Sequence, residues 1–232
     1  MTATATAPRE SLAERYARLA DAGLRRRRVD LALRTLDVVL GSTGLVVLAP
    51  LMALIAVAVA VASGRPVFYR GARVGRAGRT FTMYKFRTLN ADAETRLGPF
   101  MGRQLDDLTP SEMTRVGRLL RVSQLDELPQ LYNVVRGEMS IVGPRPIRPV
   151  FFEALGREIP QYWQRLVVPP GMTGLAQLRM TRDMSWAEKL VHDLEYIADR
   201  SPSLYLQVVS VTVSRTGARL LLSPLALLRS RS

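Results

Sequence analysis

Residues 121–146 read Arg-Val-Ser-Gln-Leu-Asp-Glu-Leu-Pro-Gln-Leu-Tyr-Asn-Val-Val-Arg-Gly-Glu-Met-Ser-Ile-Val-Gly-Pro-Arg-Pro. Apolar residues recur at Leu128, Leu131, Val134 and Val135, the spacing of one helix face. Gly137 is the predicted stop of that helix. Met139 to Val142 then reads as a short strand, and Gly143-Pro144-Arg145-Pro146 as a stiff loop in which Pro144 and Pro146 flank one guanidinium. Adjacent residues on a helix point about 100° apart, so Asp126 and Glu127 do not share a helix face. Ahead of a first turn that contains Pro129, both side chains can still reach one site. Taken alone the pair has a plain explanation, as negative charge that complements a helix dipole.

The surroundings of the pair carry more. Leu125-Asp126-Glu127-Leu128-Pro129-Gln130-Leu131, Asn133-Val134, Gly137, Met139-Ser140 and Val142-Gly143-Pro144-Arg145-Pro146 resemble the core of the bacterial sugar transferases, the monotopic polyprenyl-phosphate phosphoglycosyl transferases. Gly64 to Tyr69, Arg73-Val74-Gly75 and Lys85-Phe86-Arg87-Thr88 lie upstream in the family order, and Pro170 to Gln177 downstream. The resemblance covers roughly residues 36–216. It implies transfer of a sugar 1-phosphate from a nucleotide sugar, typically a UDP-sugar, to polyprenyl phosphate with release of UMP. That step starts exopolysaccharide or related glycan assembly at the cytoplasmic face of the bacterial membrane.

The totals agree with an anionic partner without choosing it. The 232 residues carry 33 Lys+Arg against 20 Asp+Glu, a net charge of +13. Nucleic acid, an acidic membrane surface and phosphorylated substrates all fit that balance, but no aromatic-and-basic platform or nucleic-acid motif is present. Cysteine is absent, which excludes disulfides, thiol catalysis and cysteine-ligated zinc. A single histidine, His192, makes a histidine triad or cage a poor fit, and it receives no role. Lysine occurs only at Lys85 and Lys189, so Lys85 stands out inside an arginine-rich chain.

Val38 to Ala62 contains no charge. At 1.5 Å per residue this stretch would extend roughly 37 Å as a helix, enough to cross a bilayer. Pro50 lies at its centre and basic residues flank both ends, with Arg25 to Arg28 and Arg34 before it and Arg65, Arg70 and Arg73 after it. Proline kinks a helix, and positive flanks prefer the cytoplasm. A re-entrant hairpin broken at Pro50 meets both conditions, and the resemblance implies the same shape; a straight transmembrane helix is the alternative, since spans interrupted by proline exist.

The expected class is α+β and membrane-associated. A basic N-terminal segment (residues 1–35) precedes the re-entrant hairpin (36–63), then a mixed catalytic domain with interfacial amphipathic helices (64–216) and an apolar, basic tail (217–232). Val67 to Tyr69 and Thr80 to Tyr84 read as a β-hairpin, residues 90–113 as a short helix and a loop, and 150–166 as an amphipathic helix. Pro169 to Gly174 reads as a turn. Ser185 to Asp199 reads as a helix begun by its serine, and 204–213 and 220–228 as two short apolar segments.

The candidate chemistry follows from the residue types. A carboxylate can attack phosphorus to form an acyl phosphate, splitting one displacement into two. Asp126 is the candidate nucleophile, and Glu127 either divides or shares its role. Lys85 and Arg87 fall on one side of an extended chain, and with Arg121 and Arg145 they are the candidate phosphate cations. Oxygen donors without histidine or cysteine suit a hard cation such as Mg²⁺, held by Asp126 and Glu127. A non-catalytic membrane-surface adaptor would use the same basic patches on anionic lipid, yet gives no reason for the acidic pair and the Val-Gly-Pro-Arg-Pro run.

Overall fold

The computed structural model describes residues 28–97, 103–181 and 184–229. Most of the basic N-terminal segment and the last three residues of the tail lie outside these, so their predicted helix and loose end are outside the described residues.

Helix α1 (Arg28–Ser63) is 36 residues long and carries Pro50 in its interior. Residues 36–63 were expected as two halves broken at that proline, whereas the helix is continuous through it. Proline removes one N–H and crowds one carbonyl, which bends a helix without having to end it. By length and composition α1 is apolar enough to cross a membrane. One stripe of it is buried, at Leu33, Asp37, Gly41, Ile55 and Val59. Beyond Asp37 the rest of its surface is uncharged, mostly apolar and open, including Val46 at 75% and Val61 at 83% exposure. A helix apolar all round belongs in an apolar medium.

The body packs along that stripe from both halves. In the first half, Arg34 donates to the carbonyls of Val134 and Val135 at 2.5 and 2.7 Å, and Gly41 and Gly44 lie against Val134, Val135 and Leu131. In the second, Ile55 and Val59 cluster with Phe86 and Leu120, flanked by Val67, Leu125 and Leu128.

Strands β1 (Phe68–Val74) and β2 (Thr80–Phe86) form the expected antiparallel hairpin, in register from Phe68 with Phe86 to Val74 with Thr80. Residues 90–113 contain two helices, α2 (Ala93–Leu97) and α3 (Arg103–Glu112), rather than one helix and a loop. Helix α4 (Arg115–Ser123) starts at Thr114, whose hydroxyl accepts from Gly117 N at 2.9 Å. Gly117 is required by packing, since a Cβ there would lie 1.9 Å from the Thr88 carbonyl oxygen. A single 3-10 turn (Leu125–Glu127) leads into α5 (Gln130–Arg136), which ends at Gly137 with φ 82° as predicted.

Strand β3 (Ser140–Val142) runs parallel to β4 (Gly171–Thr173), pairing Ser140 with Gly171 and Val142 with Thr173. The Pro-Pro-Gly segment is therefore an entry into a strand as well as a turn: Ser140 N donates to Pro170 O and Gly171 N to Pro144 O. Between them lie α6 (Pro149–Glu158) and a 3-10 stretch (Pro160–Val167), which bury Phe152, Leu155, Tyr162 and Leu166 with Val74 and Ile147. After β4 come α7 (Leu175–Arg179), α8 (Trp186–Asp199) and α9 (Pro202–Arg229). Ser185 and Glu188 form a reciprocal capping box at the start of α8. The two apolar segments expected near the C-terminus are one helix, since the residues between them, Gly217 included, stay helical.

Candidate active site

Asp126 and Glu127 stand on the 3-10 turn between α4 and α5, just ahead of Pro129, where the sequence pattern placed them. The turn exists because Gln124 adopts a left-handed conformation, φ 60°, that ends α4 and redirects the chain. Asp126 is buried at 7% exposure. The two carboxylates have different surroundings. Lys85, next to last in β2, donates through Nζ to Oε1 of Glu127 at 2.5 Å. Arg145 reaches the same oxygen from the loop after β3, at 3.4 Å.

These neighbours separate the titration of the pair. Burial pushes the Asp126 carboxyl up to about 6, and the charge of Glu127 adds to that, while Lys85, Arg121 and Arg145 oppose it. Burial also acts upward on Glu127, but the ammonium of Lys85 and the guanidinium of Arg145 outweigh it and hold that carboxyl below its ordinary range. Lys85 is itself pushed down, chiefly by burial and next by Arg145, against the pull of Glu127 and Asp126. Glu127 is thus a fixed anion between two cations, and Asp126 a desolvated carboxylate that titrates just below neutral pH.

The predicted cations take unequal places. Lys85 and Arg145 converge on Glu127. Arg121 donates from Nε to Thr88 Oγ1 at 3.1 Å and acts electrostatically on Asp126. Arg87, expected to share a face with Lys85, serves another partner: its Nη2 donates to the carbonyls of Ser63 and Gly64 at the end of α1. Strand β2 ends at Phe86, so the alternation of side chains does not carry to Arg87. Its Nε and Nη1 are buried without a protein acceptor. Pro144 and Pro146 flank Arg145 as read, and the Pro144 carbonyl accepts from Gly171 N at 2.9 Å. Pro50 lies within α1, between the two stretches of that helix that pack on the body.

Among the described residues no group of three or more acidic or histidine side chains gathers as a metal cage. Mg²⁺ does not require one, since it keeps waters and binds through one or two carboxylates together with substrate phosphates. Asp126 and Glu127 are the carboxylates that could hold it, although Lys85 and Arg145 already occupy one Glu127 oxygen.

Sequence reasoning missed the polar framework. Asp37 on α1 is 3% exposed and accepts from Ser140 Oγ, Ile141 N and Tyr205 Oη at 2.9, 2.8 and 2.7 Å. Buried Asn133 joins α5 to β2, accepting from Tyr84 N and donating to Thr82 O. Arg165 pairs with Asp193 at 2.7 Å, both nearly inaccessible. A signal for the last was present: Asp193 falls three residues after Leu190 and next to Leu194, a charge on the apolar stripe of its helix.

The sequence model of the family described as bacterial sugar transferase matches residues 28–219. A Caulobacter vibrioides protein named UDP-glucose:undecaprenyl-phosphate glucose-1-phosphate transferase is 38% identical over 191 residues, 80% of this chain and 69% of its own. An Aeromonas hydrophila protein named UDP-N-acetylgalactosamine-undecaprenyl-phosphate N-acetylgalactosaminephosphotransferase is 36% identical over 77% of this chain, and the match spans 41% of that longer protein. The exopolysaccharide production protein ExoY of Sinorhizobium fredii is 35% identical, over 78% of this chain and 83% of its own.

Proposed function

This chain belongs to the bacterial sugar transferase family, and from that premise we propose that it moves a sugar 1-phosphate from a UDP-sugar to polyprenyl phosphate, with release of UMP, as an early step of exopolysaccharide assembly. The observation that carries the reading is the division of the acidic pair. Glu127 is neutralised by Lys85 and Arg145, which leaves the desolvated Asp126 as the group able to attack.

In the proposed reaction a carboxylate oxygen of Asp126 attacks the phosphorus that bears the sugar. The bond from that phosphorus to the bridging oxygen breaks, and UMP leaves with the electron pair. The aspartyl phosphosugar then accepts attack at the same phosphorus by an oxygen of polyprenyl phosphate. The acyl phosphate bond breaks, Asp126 returns as a carboxylate, and a polyprenyl diphosphate sugar forms. Two displacements with one carboxylate need little covalent help, so positioning and charge neutralisation dominate. Lys85, Arg145 and Arg121 supply positive charge around Asp126. Asp126 is buried and Lys85 partly so, which makes the Lys85 charge count for more than it would in water, whereas Arg121 and Arg145 act from exposed positions. Mg²⁺, held by Asp126 and Glu127 with substrate oxygens, would add charge neutralisation at the diphosphate.

The same reading places the chain on the cytoplasmic face of the bacterial membrane, with α1 entering the bilayer and returning. Two facts support this. Both halves of α1 pack on one body, so they belong on one side, and the open face of α1 is uncharged and mostly apolar from Val38 onward. The lipid phosphate and the soluble nucleotide then meet at the interface, beneath the helix. The relatives' names differ in sugar, glucose in one and N-acetylgalactosamine in another, so sugar choice rests on the pocket each builds.

The test is turnover by the detergent-solubilised chain with UDP-sugars, Mg²⁺ and undecaprenyl phosphate, following UMP. Lipid-dependent release that Asp126→Asn abolishes is expected. Release that persists in Asp126→Asn would remove the proposed nucleophile. Binding to anionic vesicles without turnover of any UDP-sugar would favour the adaptor reading.

A further inference from the structure

We propose that Arg165, clamped by Asp193, is a positioning residue that fixes the backbone of Arg145 and so aims its guanidinium at Glu127; this rests on the transferase reading above. Arg165 Nη2 donates both to Asp193 Oδ2 at 2.7 Å and to the Arg145 carbonyl at 2.9 Å. Its Nη1 donates to Tyr162 Oη at 2.8 Å, and its guanidinium carbon stands 4.9 Å from the centre of that ring. The side chains of Arg165 and Asp193 are 5% and 4% exposed.

The loop itself explains why such a clamp is needed. Pro144 and Pro146 have no N–H, so carbonyls are the main backbone handles on either side of Arg145. Three neighbouring ties are backbone to backbone: Gly143 N to Thr173 O at 2.8 Å, and Gly171 N to Pro144 O and Val74 N to Ile147 O at 2.9 Å each. The Arg145 carbonyl is held by a side chain instead, and by a charged donor, which makes a stronger bond than a neutral one. A buried ion pair is weak evidence for stability, because apolar residues of similar volume often do as well. Joining α8 to the carbonyl of a residue that contacts Glu127 is a specific task for it. Arginine suits this task, since two terminal nitrogens in a rigid fork serve three acceptors, whereas an ammonium is one point on a flexible stem.

The experiment uses the full chain in detergent and a cycle of variants. Arg165→Met with Asp193→Asn removes both charges and leaves neither buried alone; it is compared with Arg145→Ala and with the combination of all three substitutions. The pair of substitutions is expected to lower kcat for UMP release at least tenfold in the wild-type background and less than twofold in Arg145→Ala, the non-additivity of residues acting through one another. Amide exchange at Val74 and Gly171, whose N–H groups hold the loop, is expected to quicken at least tenfold while Met83 in β2 is unchanged. An equal loss of kcat in both backgrounds, or unaltered exchange at Val74 and Gly171, overturns the proposal. If the wild type releases no UMP from any UDP-sugar, the transferase reading fails and the exchange measurement still decides the clamp. If the paired variant does not fold, Arg165→Lys takes its place, with Asp193 still paired and the Arg145 tie expected to be lost.

Discussion

Lys85 donates its ammonium hydrogen bond to Glu127, so this half-buried cation is tied to the neighbour of Asp126. Asp126 feels Lys85 through space, as the foremost of the charges that lower its pKa. The two residues of the acidic pair therefore separate into an anchor for cations and a desolvated carboxylate, the nucleophile proposed above.

Lys85→Met tests that separation. The rate constant kcat/KM reports the free enzyme, and the proposed attack requires the Asp126 carboxylate. In the wild type it should rise with pH through about 6, where Asp126 ionises, and then level. Without Lys85 the carboxyl loses its main downward pull, so the rising limb should move to higher pH. Loss of this partly buried cation should also lower the plateau by about a hundredfold, the usual scale for one electrostatic group in a catalytic site. An unmoved limb in a folded Lys85→Met protein would show that the titrating group is not Asp126.

The raised pKa of Asp126 also carries a cost in stability with a definite sign. Its folded value, about 6, lies above the ordinary 3.8, so the native state binds the proton more tightly than the unfolded chain. Stability then falls as pH rises from about 4 to 6, and the full penalty, on the order of 3 kcal/mol, is present above 6. Asp126→Asn removes the ionisation. Its melting temperature relative to wild type should therefore climb by several degrees between pH 4.5 and pH 8. A constant offset across that range would refute the buried, desolvated state of Asp126.

The sequence showed the β-hairpin, the helix after the acidic pair and the helix begun by Ser185 because each is written in neighbouring residues. Pro129 and Gly137 bracket α5, and Ser185 begins α8. What stayed hidden depends on partners far apart in the chain. Asp37 meets Ser140 and Tyr205, and Arg34 meets Val134 and Val135, about a hundred residues or more away. No local period encodes such pairs. Arg87 shows the same limit, since its spacing from Lys85 suggested a shared target and only the end of α1 reveals its partner.

Arg87→Ala separates those two targets. As the donor to the last carbonyls of α1, its loss should destabilise the protein by about 2 kcal/mol, the scale of a charged hydrogen bond. The KM for the UDP-sugar should change less than threefold. A tenfold rise in KM with an unaltered melting temperature would instead put Arg87 on a substrate phosphate.

Asp37 ties α1 to β3 and α9 at once. Asp37→Ala leaves the donors Ser140 Oγ, Ile141 N and Tyr205 Oη without their acceptor in a buried place, and about 3 kcal/mol should be lost. Tyr205→Phe removes one donor and leaves the carboxylate two, so its cost should be about 1 kcal/mol. Thermal unfolding in one detergent measures both, and equal effects would mean that Asp37 is not the junction.

The course of α1 through the membrane has a direct chemical test, because the chain contains no cysteine. Leu31→Cys and Arg65→Cys place single thiols at exposed positions near either end of the helix, and Val47→Cys places one on its open apolar face. Both halves of α1 contact the same body, through Gly41 and Gly44 in one and Ile55 and Val59 in the other. A re-entrant helix therefore predicts that a membrane-impermeant maleimide labels positions 31 and 65 together in inside-out vesicles and neither in intact spheroplasts. Position 47, within hydrocarbon, should stay unlabelled from either side. Labelling of 31 from one face and 65 from the other would establish a crossing, and the contacts of one end of α1 with the body would then have to break in the membrane.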